Sequence, residues 1–594
     1  TTVDSLTAKL DGTFELANRQ MTWEAGFSKG EAFSINTTYD INRERWVMAM
    51  DVGINPTTGE IDCKMNYVDG YLGITYSSLS NPYWSPTSGY QPQGFGSAGL
   101  PGDCSPYNPL GYNPGQTEAI DYILVPQVRR AENNQTIHFA SLAGTLYTLP
   151  AGDIKFNVGV EQREETLEFW SDAAQNMKLT RSSVQPNNYA AYDTDETYIE
   201  LSIPVVSESM GLTFGGYGIQ ELRIDFARRE IDNTFSGEYT VEAENIYWQI
   251  SDDLALRGGT QNAVRTPDLQ SVFGPQATTY RTAQDPCDYR YIDGGIYPDV
   301  RRANCEAEPW WTTGWQSQIV NRTEEGISGG NPNLLNELGD STTLGIIFTP
   351  DYDFIPGSLS VAFDVVTIDI IDVVSSFTVS QNMAGCYDYA DKPAKFCNTF
   401  TRVLDQADTN NGKYELGDVN SFLVGPNNVG VRNFETHIIS MDHTMDTAWG
   451  ELSTRFRGYH QQIFESAPTG NPEDLEDFTG QYSEPEWLYD FTIGLERDKH
   501  AIFYQIDGRS GGYIEKFQNE EQPDKYLDFN GNPIREFEGW WTDAISYGYR
   551  PNEKMAVAVN LTNPFDLDGD EDRFPAEVNL RLSQTLSVGF RYSF

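Results

Sequence analysis

The last seventeen residues, Val578 to Phe594 (VNLRLSQTLSVGFRYSF), alternate between two kinds of side chain. Apolar residues, interrupted only by Gln584, occupy every second position, and polar, charged or glycine residues stand between them. A period of two is the pattern of a β-strand with one apolar face. Such a strand fits a soluble sandwich, whose polar face meets water, or a transmembrane barrel, whose apolar face meets lipid. The length of the stretch and its aromatic end at Phe594 favour the barrel.

The same alternation, bounded by turn residues, predicts about seventeen strands along the chain. They are residues 5–16, 19–29, 134–149, 153–168, 193–206, 217–231, 236–251, 254–266, 340–350, 358–374, 431–447, 450–465, 486–498, 500–513, 537–550, 554–563 and 582–594. Short turns and long loops alternate between them without a break. Transmembrane barrels place short turns on the periplasmic side and long loops outside. We therefore predict an all-β fold, a transmembrane antiparallel β-barrel.

The six cysteines all fall in the long connections. Pairing neighbours gives Cys63–Cys104, Cys287–Cys305 and Cys386–Cys397, each within one loop. Cysteines confined to loops suit disulfides formed in an oxidising compartment. Unpaired buried thiols are the alternative, and a metal site is disfavoured because no Cys-x-x-Cys spacing occurs.

Charge and hydropathy restrict the partners of the chain. The formal net charge is −47, which argues against nucleic acid because phosphate binding needs a basic surface. No run reaches the roughly 20 apolar residues of a membrane helix, but barrel strands need only about 9 to 11 each. No signal-peptide pattern opens the chain. We interpret the chain as the C-terminal piece of a longer protein.

Three stretches resemble the TonB-dependent receptors of Gram-negative outer membranes. Arg265-Thr-Pro267-Asp-Leu269 is similar to that family's Arg-Ala-Pro-Asn-Leu motif. Residues 330–334 (GNPNL), followed by Glu337, are similar to its Gly-Asn-Pro-x-Leu-x-x-Glu signature. Residues 560–566 (NLTNPFD) and the final Phe594 resemble its closing strands. The cysteine-bearing loops resemble a large-loop branch of the family.

This resemblance implies a barrel of twenty-two strands preceded by a plug domain. Residues 1–594 would then form barrel strands 6 to 22, with the plug and the early strands absent from this chain. The implied function is active import of a scarce ligand, an oligosaccharide or a metal chelate, across the outer membrane. The implied partners are the TonB-ExbB-ExbD complex, acting through the plug, outer-membrane lipid and lipopolysaccharide, with a surface lipoprotein as a further candidate. The competing function is a passive porin or a surface adhesion barrel.

Candidate ligand-binding residues are aromatic side chains of the external loops, where flat rings suit sugars or planar chelates. One group follows Cys305 and the other lies between Cys63 and Cys104; packing of these loops on themselves is the alternative. The residues are Trp310, Trp311, Trp315, Tyr83, Trp84 and Tyr90.

Neither a cofactor nor a catalytic site is predicted. The acidic loop with Asp566, Asp568 and Asp570 has enough oxygen atoms for a structural Ca²⁺, yet it lacks the glycine and glutamate positions of an EF-hand. Residues 326–330 match the hydrolase pattern G-x-S-x-G but run into a loop. The five histidines form no H-E-x-x-H motif. We therefore expect a transport protein of the outer membrane with extracellular loops, not an enzyme.

Overall fold

The computed structural model describes residues 1–68, 103–110, 117–172, 176, 180, 186–214, 217–352, 354–410, 412–467, 475–514, 533, 536–565 and 584–592. Seventeen long strands follow one another as an antiparallel meander within one large sheet. They are β1 (Thr2–Leu16), β2 (Arg19–Ile41), β3 (Leu124–Leu149), β4 (Gly152–Ser171), β5 (Asn188–Ser207), β6 (Glu221–Asn233), β7 (Gly237–Gln249), β8 (Leu254–Arg265), β9 (Glu337–Phe348), β10 (Ser358–Ser376), β11 (Pro426–Thr447), β12 (Gly450–Ala467), β13 (Trp487–Arg497), β14 (His500–Arg509), β15 (Trp540–Asn552), β16 (Met555–Thr562) and β17 (Thr585–Tyr592). The all-β prediction is confirmed, and each predicted strand has its counterpart.

The remaining elements are short and lie in the connections. The helices are Arg43–Met50, Lys64–Tyr67, Thr117–Ile123, Leu269–Phe273, Pro298–Glu306, Val379–Tyr387 and Ala394–Cys397, with 3-10 turns at Glu208–Met210, Gln318–Val320 and Gln406–Thr409. The short strands are Val52–Ile54, Ile61–Cys63, Thr213–Phe214, Tyr217–Gly218, Ala277–Arg281, Glu324–Ser328, Phe400–Arg402, Val419–Val424, Glu476–Asp477, Gly512–Tyr513 and Glu536–Phe537. No helix in the described ranges has the length and apolar character needed to cross a membrane.

Tight turns join the strands at one end of the sheet, which we call the turn side. Ala17 and Asn18 connect β1 and β2 with φ of 52° and 61°. Two successive residues with positive φ make the turn whose twist matches a two-residue hairpin. Asp498 has a φ of 52° in the equally short connection between β13 and β14. The opposite end, the loop side, carries the three cysteine-bearing connections 42–123, 266–336 and 377–425.

The predicted rhythm of short and long connections is wrong at one place. Residues 208–220 join β5 to β6 on the turn side and include the 3-10 turn and a small hairpin, whereas residues 234–236 join β6 to β7 on the loop side. Asn233 makes that tight turn possible, because its side chain accepts hydrogen bonds from the backbone N–H groups of Phe235 and Ser236. Side-chain capping therefore supports a short connection on the loop side, where the predicted rhythm calls for a long one.

Several strands extend beyond their predicted limits, β2 and β3 by the most. β2 ends at Ile41 and β3 begins at Leu124, so their ladder continues well past the predicted limits of residues 29 and 134. In the extra segment of β2, Phe33, Ile35, Tyr39 and Ile41 lie on one face and the residues between them are polar or small, so the alternation continues beyond the predicted limit.

The sheet has an apolar face and a polar face. In β17 the alternate side chains Leu586, Val588 and Phe590 are 65%, 68% and 65% exposed, and they lie beside the apolar residues of β16. The polar face carries charged side chains joined in pairs, such as Arg257 of β8 with Asp364 of β10 at 2.6 Å. An exposed apolar face opposite a charged one is the arrangement of strands that separate lipid from a wet interior.

Candidate ligand-recognition region

Two long loops combine into one folded unit, residues 266–336 and 377–425, which we call the loop body. Its centre is a four-stranded sheet to which each loop contributes two strands. The strands Glu324–Ser328 and Val419–Val424 run parallel and join the loops through the pairs Ile327–Leu423 and Ser328–Val424. Apolar side chains including Ile319, Met383 and Phe422 fill the space beneath this sheet.

The structure contains the three disulfides between neighbouring cysteines. Cys287–Cys305 and Cys386–Cys397 lie within the loop body, one in each loop, and Cys63–Cys104 closes part of connection 42–123. The last bond packs in a separate cluster with Ala49, Tyr122 and Ile123. Each disulfide therefore restrains one loop and none crosses between loops.

Trp310 and Trp315 lie in the core of the loop body, where each is 7% exposed and their ring centroids are 4.7 Å apart. The Trp315 indole donates a hydrogen bond to the carbonyl oxygen of Leu416, and that of half-buried Trp311 donates to the carbonyl oxygen of Cys287. Burial removes both faces of Trp310 and Trp315 from contact with a ligand. For these two side chains the structure shows the alternative, a loop that packs on itself.

Arg402 occupies the centre of this core. It donates two hydrogen bonds to Asp285, at 2.7 and 2.9 Å, and the side chains of the pair are 5% and 0% exposed. Its guanidinium also lies 4.9 Å from the ring centroid of Trp310 and 5.2 Å from that of Tyr387. Burial alone would lower the pKa of Arg402, but the Asp285 carboxylate raises it. The cation is therefore retained by one carboxylate and a box of aromatic rings.

Buried carboxylates fix the backbone around this centre. Burial alone would raise the pKa of Asp288, but hydrogen bonds from Arg290 and from the Ser317 N–H lower it below the ordinary value. Asp418 accepts hydrogen bonds from the backbone N–H groups of Gln318 and Glu415, and burial raises its pKa. Protonation in acid therefore destabilises the fold at Asp288 and favours it at Asp418.

The loop body reaches back onto the polar face of the large sheet. Leu269 and Phe273, from its first helix, pack with Leu167 of β4 and Tyr192 of β5. Asn188 of β5 donates a hydrogen bond to the carbonyl oxygen of Phe273. The loop body therefore lies over the loop-side end of the polar face.

The motif residues meet at the junction between the sheet and the loop body. Arg265, the last residue of β8, forms an ion pair of 2.7 Å with Glu337, the first residue of β9. The Asn331 backbone N–H donates to the Ser271 carbonyl oxygen at 2.9 Å. Glu337 also accepts a hydrogen bond of 2.7 Å from the Val374 backbone N–H. These stretches close the base of the loop body.

A cavity of about 660 Å³ lies on the polar face of β4–β8, next to the start of the loop body. Its lining includes Arg163, Glu196, Tyr198 and Arg229, none of which the sequence analysis selected. The available signal was their position in the alternation: each is on the polar side of its strand. Alternation identifies such a face but not which of its residues surround a cavity.

The other candidate residues lie outside the described ranges. Tyr83, Trp84 and Tyr90 belong to residues 69–102, and Asp566, Asp568 and Asp570 belong to residues 566–583. Within the part of the chain that the structure describes, no group of three or more histidine, cysteine, aspartate or glutamate side chains could hold a metal ion.

Comparison with known proteins gives matches of structure only. No family model and no curated protein matches the sequence. The siderophore receptor PirA from Acinetobacter baumannii is similar over 95% of this chain, at 11% identity and a TM-score of 0.48. A mutant of the ferric enterobactin receptor PfeA from Pseudomonas aeruginosa is similar over 95%, at 10% identity and a TM-score of 0.45. The chain spans 58% and 65% of the lengths of these two receptors. At these identities the likeness concerns the arrangement of strands alone.

Proposed function

We propose that this chain forms the wall and outer loops of an importer in the Gram-negative outer membrane. The observation that carries the proposal is the division of the sheet: an exposed apolar face, a charged opposite face, and all three disulfide-tied loops at one end. An apolar face of this kind belongs against lipid, and the disulfides belong in an oxidising space. The loop side would then be extracellular, where lipopolysaccharide surrounds it.

The energy source is proposed from the sequence motifs. The stretches around Arg265 and Gly330–Leu334 resemble those of TonB-dependent receptors, in which a plug fills the barrel and the TonB-ExbB-ExbD complex powers uptake. The ligand is proposed to be an oligosaccharide or a metal chelate that the loop body helps to capture. A surface lipoprotein that delivers this ligand is a further proposed partner.

We also propose that further strands complete the sheet. In the described part of the chain β1 pairs only with β2, and β17 only with β16. Unpaired backbone N–H and C=O groups are costly in hydrocarbon, so both edges need partners. Strands 1 to 5 of a twenty-two-stranded barrel, with the plug before them, would meet this need. Intact mass of the purified protein tests this, because we expect a value well above 66.7 kDa.

A binding and conductance experiment tests the proposed function. Purified full-length protein is presented to the periplasmic domain of TonB and, separately, inserted into a planar lipid bilayer. We expect saturable binding to TonB and a closed channel, because a plug would fill the barrel. A steady conductance without TonB binding would identify a passive porin instead.

A further inference from the structure

Two arginines and one glutamate of the cavity beside the loop body form a cluster with a second glutamate that is not part of its lining. Glu196 is 6% exposed and accepts hydrogen bonds from Arg163 at 3.1 Å and from Arg229 at 2.6 Å. Arg163 also donates to Glu161 at 2.9 Å. The two positive charges are therefore balanced by two carboxylates that touch them.

Further acidic groups line the same cavity. They are Glu165, Glu200, Glu242 and Asp268. Two more arginines line the cavity and are already paired, Arg228 with Glu242 and Arg265 with Glu337. The local charge is therefore negative, and an anionic ligand would be repelled because like charges placed together are costly.

The cluster retains hydrogen-bonding capacity although its charge is balanced. A guanidinium has five N–H donors, and Arg229 gives one of them to Glu196. Among the described residues, the buried Nε of Arg163 has no hydrogen-bond partner. A hydroxyl group both donates and accepts hydrogen bonds, so it can use the remaining N–H groups of Arg229 and the neighbouring carboxylate oxygens together.

The wall of the cavity is flat around this cluster. The Tyr198 ring lies against Gly159, where an added Cβ would stand only 2.4 Å from the ring. The Arg229 guanidinium lies 5.0 Å from the centroid of the same ring. Gly159, Tyr198 and Arg229 therefore form a layered surface that presents a planar polar group.

We propose that this cavity binds an uncharged, hydroxyl-rich ligand, an oligosaccharide, and not an anionic metal chelate. Neutralised donors and acceptors side by side suit hydroxyl groups, and the surplus carboxylates exclude anions. The volume lies within the range of small-molecule sites. This inference rests on the proposed import function, because it names the class of ligand that the importer takes.

Titration calorimetry on the purified full-length protein tests the ligand class. The probes are short neutral oligosaccharides of glucose, galactose and mannose, and a ferric tricatecholate anion. We expect at least one saccharide to bind with a Kd that stays constant between about 0.05 and about 0.5 M NaCl, because an uncharged ligand is insensitive to screening. Binding of the chelate alone, or of no saccharide at all, would overturn the inference.

Two variants link the binding to the cavity. Arg229→Gln is expected to weaken saccharide binding about tenfold or more, because it removes charge-assisted donors. Arg223→Gln is the matched control: Arg223 is on the same face of β6, pairs with Glu221 and Asp225, and lies outside the cavity. Its binding should equal that of the parent protein. Equal losses in both variants would place the ligand elsewhere.

The outcome separates this inference from the import proposal. Binding of the chelate together with TonB binding would overturn the ligand class and leave energised import in place. If the protein binds a saccharide, does not bind TonB and conducts ions, the result would support the ligand class and contradict energised import.

Discussion

At the scale of single residues, the buried Arg402–Asp285 pair controls the loop body. Arg402→Met removes the cation and leaves the Asp285 carboxylate buried without it, which costs about 3–5 kcal/mol. We expect hydrogen exchange of the loop-body amides to accelerate accordingly. Arg302→Met is the control. Arg302 pairs with Asp293 and Glu306, and its side chain is 41% exposed. Such exposed ion pairs contribute about 1 kcal/mol or less to stability. Similar effects of the two substitutions would show that the buried pair is not a centre of stability.

Asp288 gives the loop body a dependence on acid. Its pKa is lower in the folded chain than the ordinary value of 3.8, so its stabilising effect is complete above that value and is lost as the pH falls towards the folded pKa. We expect amide protection near Ser317, corrected for intrinsic exchange rates, to fall as the pH drops below about 4. Asp288→Asn should be less protected at neutral pH and should show a weaker fall. Asp418→Asn serves as a comparison, because the raised pKa of Asp418 means that protonation of this carboxylate favours the folded state. An unchanged acid response in Asp288→Asn would contradict this account.

At the scale of elements, strands were predictable and the loop body was not. Alternation identified strands such as β4 because one face carries an apolar run, Ile154 to Val160 at every second residue, with polar or small residues between. The loop body has no such period: its strands are three to six residues long, and they pair across the two loops. Trp310 and Trp315 are buried against Arg402, which lies far along the chain. The local sequence therefore predicted aromatic side chains on the surface of a loop, whereas tertiary contacts place two of them in a core.

The turn at Gly417 illustrates how tightly these elements fit. Gly417 has a φ of +91°, and an added Cβ would stand 2.1 Å from the Trp310 ring. Gly412 has a similar φ of +83°, and among the described residues no heavy atom outside its two chain neighbours lies within 4 Å of the corresponding position. Both Gly→Ala substitutions strain the backbone, but only Gly417→Ala also displaces Trp310, which adds about 1–3 kcal/mol. When thermal unfolding is monitored by proteolysis of the loop body, Gly417→Ala should have a clearly lower midpoint temperature than Gly412→Ala. Equal midpoints would mean that the Trp310 side chain has room to move.

At the scale of the whole molecule, the decisive property is what the apolar face meets. Leu344 of β9 is on that face and is 62% exposed, and its neighbour Thr343 is on the polar face. On a soluble protein, Leu344→Lys would change stability by about 0.5 kcal/mol or less. In a membrane the same substitution costs about 2–4 kcal/mol near the midplane, whereas Thr343→Lys faces the wet interior and is tolerated.

Folding of full-length variants into lipid vesicles across a urea series distinguishes these cases. If the sheet spans a membrane, Leu344→Lys folds only at lower urea concentrations than the parent, and Thr343→Lys follows the parent curve. Because both variants add one positive charge to adjacent positions of one strand, their difference isolates the environment of each face. A Leu344→Lys curve that coincides with the parent would place water on the apolar face and refute the proposed membrane position.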